Sequence, residues 1–464
     1  MKFLQGYVAV VVLVFACATS RADDPPPDDA GDTGYDTPDL AATTAPPWNP
    51  AEPVHHARPW ERALRAPGAV VSWPLVQAGH GLENALMWAE DNSYQQKVAA
   101  FIEKKGTWGV DLVPASLGEG TGFGLEFRTT PRFFLRHVSG AVSGSTAGYN
   151  REQLTVSLGR LALDWQNDWR PREHFFGVGM TPRSGISTYG VRTQSALLSF
   201  SVGTRFGAPT IVAPIPPNDG GLIAPTYRHR TLLRVWAGPR DALMTTGRDF
   251  DLRSIEIVHP DLAAAALHDR VEQMSYGLTL AHDGRHGAPH WTHGWRAAGE
   301  IERREDPWRG LRLHETDVDA RSFTRLTGKA ETGLSFGRDP RTIRLALKTV
   351  DTRLDRSGGV FLLDDLPSLG GADLAGFERG RFRDLDLVLG RLAYVYPILR
   401  NAEMELHVES GEVAPEYGAM RFTRLEQSAG FALRLRMDTS MVGAVGMDFS
   451  RESARLRFAI GGVE

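Results

Sequence analysis

The chain has 464 residues, a formal net charge of -4, 23% charged residues and 42% hydrophobic residues. That length accommodates several domains or one large β architecture. The slight acidity offers no basic face for nucleic acid, and the apolar residues are too dispersed for a bundle of membrane helices.

The one long apolar run is Tyr7–Ala18, behind Lys2 and ahead of Ser20-Arg21-Ala22. A basic start, a short apolar middle and small residues before a cut site predict a secretory leader over 1–22. The run is too short to cross a bilayer as a helix, which takes about 20 residues. Cys17 offers a rival, lipid-modified start, weakened by the bulky Phe15. Cleavage after Ala22 leaves no cysteine, so neither a disulfide framework nor thiol chemistry is expected.

Asp23 to Val54 hold seven Asp, one Glu and eight Pro, with no Lys or Arg. Such a segment buries too little apolar surface to offset its ordering entropy, which predicts a disordered acidic tether over 23–55. Capture of a cation or a basic partner is the alternative. Over 56–118, Leu82, Ala85, Leu86 and Ala89 recur at helical spacing, and Ser93 with Gln96 forms a capping-box pattern. A short helical prelude is expected there, docked on its neighbour or seated at a pore mouth.

From 119 to 464 the period changes to two. Ile343, Leu345 and Leu347 alternate with Arg344, Ala346 and Lys348, and Phe431, Leu433, Leu435 and Met437 with Ala432, Arg434 and Arg436. Leu456, Phe458 and Ile460 alternate with Arg455, Arg457 and Ala459. Each run has one apolar and one charged face. Two readings survive: a long soluble β protein, or a transmembrane antiparallel β-barrel of about 16 strands, with the apolar face in lipid and the arginines in the lumen. The leader and the even repetition favour the barrel, with Glu403 and Glu405 as lumen partners for the arginines. Closure is what satisfies every backbone hydrogen bond in hydrocarbon. Asp164 and Asp168, around Trp165 and Trp169, read as a strand end with interfacial aromatics.

Three stretches resemble the BamA/TamA-type outer-membrane assembly proteins, the bacterial surface antigen family. Glu173-His174-Phe175-Phe176-Gly177-Val178-Gly179 is similar to the family's E-x-F-[FY]-G-x-G run. Asp283, Arg285, Pro289 and Gly294 are similar to its D-x-R, P, G hairpin. Leu369-Gly370-Gly371, Gly376-Phe377 and Arg381-Phe382-Arg383-Asp384 resemble its LGG…RGF…RFRD signature. The resemblance implies a bacterial outer-membrane barrel in which this last stretch is a long extracellular loop folded back against the inner wall. Five strands can be read after the loop, near 384–396, 401–410, 426–437, 440–450 and 453–462, as many as the family places there.

Outer-membrane lipid, client outer-membrane proteins and periplasmic or lipoprotein accessories are the partners implied, with a role in insertion or translocation. The alternative is a passive pore or structural barrel plugged by the loop. The departures from the family are specific. Ala375 stands where the family has an arginine, with Arg379, Arg381 or Arg383 as possible stand-ins, and Ala393-Tyr394-Val395 drops two charges of the next strand. The sequence closes on Val463-Glu464 rather than on an aromatic residue. Only some 60 residues separate tether and barrel, patterned as helix, so POTRA modules are not expected.

No catalytic machinery is legible. The nearest approach to a nucleophile elbow, Gly144-Ser145-Thr146-Ala147-Gly148, lacks the central serine. His282, His286, His290 and His293 lie in the hairpin stretch and read as a polar turn before a zinc site. No cofactor or metal is expected.

Overall fold

A computed structural model of the chain describes residues 110–115, 124–129, 137–180, 186–205, 230–249, 251–260, 267, 270–285, 294–305, 322–336, 341–355, 362–399, 402–437 and 440–460. The leader, the tether, Cys17, Ser93, Gln96, Pro289 and the prelude up to residue 109 lie outside them. The chain divides into two units, Met1–Gly68 and Ala69–Glu464, and everything described belongs to the second.

Nearly all of it is strand. In chain order come β1 (Val110–Ala115), β2 (Gly124–Thr129), β3 (Val138–Ser145), β4 (Asn150–Leu158), β5 (Leu161–Phe175) and β6 (Ser187–Arg205). After β7 (Arg230–Thr246), a one-turn helix α1 (Ile255–Val258) leads to β8 (Arg270–Asp283), β9 (Gly294–Glu305), β10 (Phe323–Phe336) and β11 (Arg341–Leu354). A small ribbon follows, β12 (Ser368–Leu369) with β13 (Phe382–Arg383). The sheet resumes with β14 (Asp386–Leu399), β15 (Ala402–Ala414), β16 (Glu426–Met437), β17 (Ser440–Ser450) and β18 (Ala454–Ile460). These last five are the five expected after the loop.

Apart from the ribbon, the strands make one 16-stranded antiparallel sheet in sequential order. β14 has 14 residues; at about 3.4 Å each, that outreaches an apolar band of about 25 Å even when tilted. β1 and β18 come within 8 Å of one another, Cα to Cα, which rolls the sheet on itself. No hydrogen-bonded ladder joins them among the described residues. The sheet begins before the expected boundary at 119: Val110–Ala115, the end of the expected helical prelude, is a strand paired with β2. Val-Asp-Leu-Val-Pro-Ala is only six residues long and breaks its alternation at the adjacent Leu112 and Val113, so no period of two stands out. Trp165 and Trp169 lie inside β5 and not at a strand end, because the strand runs on to Phe175.

Burial is inverted relative to a protein folded for water. Leu334, Leu345 and Phe458 are 68%, 55% and 59% exposed, whereas Glu403, Glu405 and Asp448 are 2%, 1% and 1% exposed. An apolar exterior and an ionic interior are the pattern of a transmembrane β-barrel. The inward charges are paired as the alternation predicted: Arg434 lies 2.5 Å from Glu405 and 3.7 Å from Glu403. Arg391 lies 2.5 Å from Glu405 and 2.9 Å from Glu409, and Arg457 3.5 Å from Asp448.

A sequential antiparallel sheet sends its connections to alternate ends. One end has mostly short connections such as 159–160, 337–340 and 400–401, with 130–137, 206–229 and 284–293 longer; the other carries 247–269, 306–322 and 355–385. The end with the long connections gathers the site described next.

Candidate functional site

The connection from β11 to β14 does not stay outside the sheet. Leu369, Leu374, Phe377 and Phe382 are all 0% exposed and cluster with Val350 of β11, Leu387 and Leu389 of β14 and Val413 of β15. Leu387 and Leu389 alternate on the same face as Arg391, so the cluster lies on the charged, inner face. Gly370 has φ +111, and a Cβ there would stand 1.9 Å from the Glu378 carbonyl oxygen, so only glycine fits this turn. Gly376 sits hard against the wall: a Cβ would come within 2.7 Å of the Phe449 carbonyl oxygen on β17. Leu374 takes φ 76, a conformation a side chain rarely adopts, held by its complete burial.

Two of the three sequence stretches meet here. Arg381 forms a two-pronged pair with Glu452, at 2.7 and 2.8 Å, and its guanidinium lies over Phe382 at 4.8 Å and over Phe176 at 5.3 Å. Glu173 pairs with Arg379 at 3.6 Å. His174 presents Nδ1 to Glu378 and Nε2 to Asp249, the latter at 2.9 Å. The Gly179 amide donates to the Arg383 carbonyl at 2.7 Å, bridging the stretches through backbone. Phe175 turns into a second core with Tyr189, Met244, Leu362 and Leu363. Gly177, at φ 101, makes the bend between them. Arg383, 4% exposed, donates to the Leu363 carbonyl at 2.9 Å.

The hairpin stretch is elsewhere. Asp283 accepts from Arg285 at 2.7 and 2.8 Å at the tip between β8 and β9, where Gly294 has φ 109. Alternation of the connections puts that tip at the opposite end of the sheet. His282 stacks on Trp295 at 4.4 Å; His286, His290 and His293 lie outside the described residues.

Ala375 replaces the expected arginine without a side-chain substitute. Its backbone N–H donates to Glu409 at 2.6 Å, and the charge on Glu409 is met by Arg391 of β14. Arg379, Arg381 and Arg383 reach Glu173, Glu452 and the Leu363 carbonyl instead.

The sequence reading missed the most heavily bonded acids of the site. Leu363-Asp364-Asp365 forms a single 3₁₀ turn just before the ribbon. Asp364 takes Arg170 of β5 at 2.5 Å. Asp365 takes Arg240 of β7 at 2.7 Å and Arg304 of β9 at 2.5 Å, while Arg325 of β10 donates to its carbonyl. The Arg304 and Arg325 guanidinium groups lie over the Phe323 ring at 5.1 and 4.9 Å. Burial alone would raise the Asp364 carboxyl, but Arg170 more than offsets it and holds the group well below the usual carboxylate range. Glu378 is likewise held low, chiefly by its hydrogen bond with His174. Asp384 is pushed up by burial. The local signal for the turn was a pair of acids in an apolar run; its partners were invisible, since they stand on four different strands.

No family model matches the chain, and no curated protein sequence matches it. Among solved structures it is similar to BamA from Haemophilus ducreyi lacking POTRA domains 1-3, at 13% identity and TM-score 0.48, covering 76% of this chain and 70% of that one. It is similar to CdiB from Acinetobacter baumannii, at 12% identity and TM-score 0.43, and to CdiB from Escherichia coli, at 12% and 0.45. Each covers 76% of this chain, which spans 59% and 62% of the two CdiB chains. These likenesses are weak in sequence and concern the fold alone.

Proposed function

We propose that the chain is a bacterial outer-membrane barrel that assists insertion or translocation of outer-membrane protein or lipid, without catalysis of its own. In this reading residues 1–22 are a leader, 23–55 a tether, and the sheet from β1 to β18 the spanning part. One observation carries it: among the described residues β1 and β18, of six and seven residues, come close to one another but share no hydrogen-bonded ladder, unlike all the neighbouring strands between them. Unpaired edge groups in such a seam are a template for an incoming strand. In this reading the seam runs between Val110–Ala115 and Ala454–Ile460. Clients and accessory lipoproteins remain part of the proposal.

The test is a seam lock. Leu112→Cys, combined in turn with Leu456→Cys, Arg457→Cys and Phe458→Cys, is oxidised in the full chain in its native cells. The expected result is a disulfide in one pairing, with loss of outer-membrane protein or lipid assembly that reductant restores. Assembly unchanged by a locked seam overturns the reading. The buried segment 362–384 favours a second one, a plugged structural barrel. That reading gains if the locked protein is fully active and deletion of 369–383 produces a steady conductance.

A further inference from the structure

The outer face of β11 and β14–β17 carries a groove of about 630 Å³. Its sides are Leu345, Leu392, Val408 and Phe449, 55%, 47%, 50% and 45% exposed. Between them lie three small residues, Gly390, Ser410 and Ala429. The register sets Gly390 opposite Ser410, Val408 opposite Ala429, and Ala429 opposite Phe449. Small side chains in neighbouring strands, flanked by large ones, leave a trough in a surface that is otherwise a continuous apolar belt. The Ser410 hydroxyl is buried there with no hydrogen-bond partner among the described residues, a state that polar atoms avoid unless something supplies the missing bond.

At the end bearing the long connections the groove reaches Gln427 and Arg451. Above it, the connection 415–425 exposes Phe422, at 76%, between the exposed Arg421 and Arg424. Neither of those guanidinium groups has an ion-pair partner among the described residues. Of the nearby carboxylates, Glu426 pairs with Arg451 at 2.6 Å, Glu412 accepts the Arg421 backbone N–H at 2.9 Å, and Glu416 is exposed. An aromatic ring between two free guanidinium groups suits the headgroup level of a membrane. Guanidinium forks take phosphate oxygens.

We propose that this groove binds a phosphorylated acyl lipid of the outer leaflet. One acyl chain lies in the trough, an ester carbonyl accepts from the Ser410 hydroxyl, and the phosphate is held by Arg421 and Arg424. The leaflet follows from the end of the sheet, since longer connections face outward in such barrels. The inference rests on the membrane reading above.

The full chain is placed in phosphatidylcholine nanodiscs doped with phosphatidic acid or with phosphate-free diacylglycerol, and retained lipid is counted by native mass spectrometry. The wild type is expected to keep one phosphatidic acid with about tenfold preference over diacylglycerol. Arg421→Gln with Arg424→Gln is expected to erase the preference, Ser410→Ala to weaken retention severalfold, and Ser410→Leu with Ala429→Leu to abolish it. Leu278→Phe, on the distant face of β8, is expected to leave it unchanged. Retention untouched by the filled groove, equal retention of both lipids by the wild type, or full displacement by inorganic phosphate overturns the proposal. Failure of the membrane reading looks different: the chain then stays monodisperse without detergent and enters no nanodisc.

Discussion

The segment 362–384 touches two walls of the same sheet, and the two contacts differ in how much charge contributes. Against β11, β14 and β15 it is held mainly by apolar side chains, with Leu369, Phe377 and Phe382 fully buried. Against β5, β7, β9 and β10 the ion pairs and hydrogen bonds of Asp364 and Asp365 are added to the apolar packing of Leu362 and Leu363. The apolar wall tolerates small shifts, because burial is proportional to area and indifferent to direction. The ionic wall does not, since removing one partner leaves the other buried without its counter-charge. A single chain segment is thus cushioned on one side and indexed on the other.

The largest expected effect is therefore on the ionic wall. Asp365→Ala leaves Arg240 and Arg304 without their shared carboxylate, and breaking such a buried pair from one side costs about 3–5 kcal/mol. Conductance in planar bilayers and protease cleavage within 362–384 are both expected to rise. Phe377→Ala empties the apolar cluster and costs about 3 kcal/mol, read as a lower Tm in detergent, with the segment still indexed by its acids. If the walls are independent, the double variant shows the sum of the two losses; a loss well short of the sum means that one wall governs the segment and breaks the comparison.

The smallest effect is that of pH. Asp364 and Glu378 are held below their ordinary range, so their contribution is complete above the unfolded values of about 3.9 and 4.3 and is lost only as pH falls through the lower folded ones. His174, raised above its ordinary value chiefly by its hydrogen bond with Glu378, contributes fully below about 6.5 and ceases to as pH rises through its folded value. Conductance is therefore expected to be lowest in mildly acid solution and to rise in stronger acid; opening at about pH 5 would show that other groups hold the segment.

Much of this fold was legible because strands buried on one side write their orientation into every second residue. Leu345 against Arg344 and Leu456 against Arg455 state in the sequence which face turns outward. The loop was legible through its glycines, since Gly370 and Gly376 fit where a side chain cannot. What stayed hidden was non-local. Asp364 and Arg170 are 194 residues apart, and an ion pair across that distance leaves no local period. Ala375 looked like a lost contact because a backbone N–H, which every such residue carries, makes the bond to Glu409.

Arg170, Arg240, Arg304 and Arg325 all precede Asp364 and Asp365 in the sequence. Eleven of the sixteen sheet strands thus stand before the turn in chain order and five after it. Asp168 and Glu302 already balance part of the charge of Arg170, Arg304 and Arg325. What the two acids add is a clasp: one short turn fastens β5, β7 and β9, which are not neighbours in the sheet, to a single point. A cut on either side of that turn would therefore unfasten three strands together.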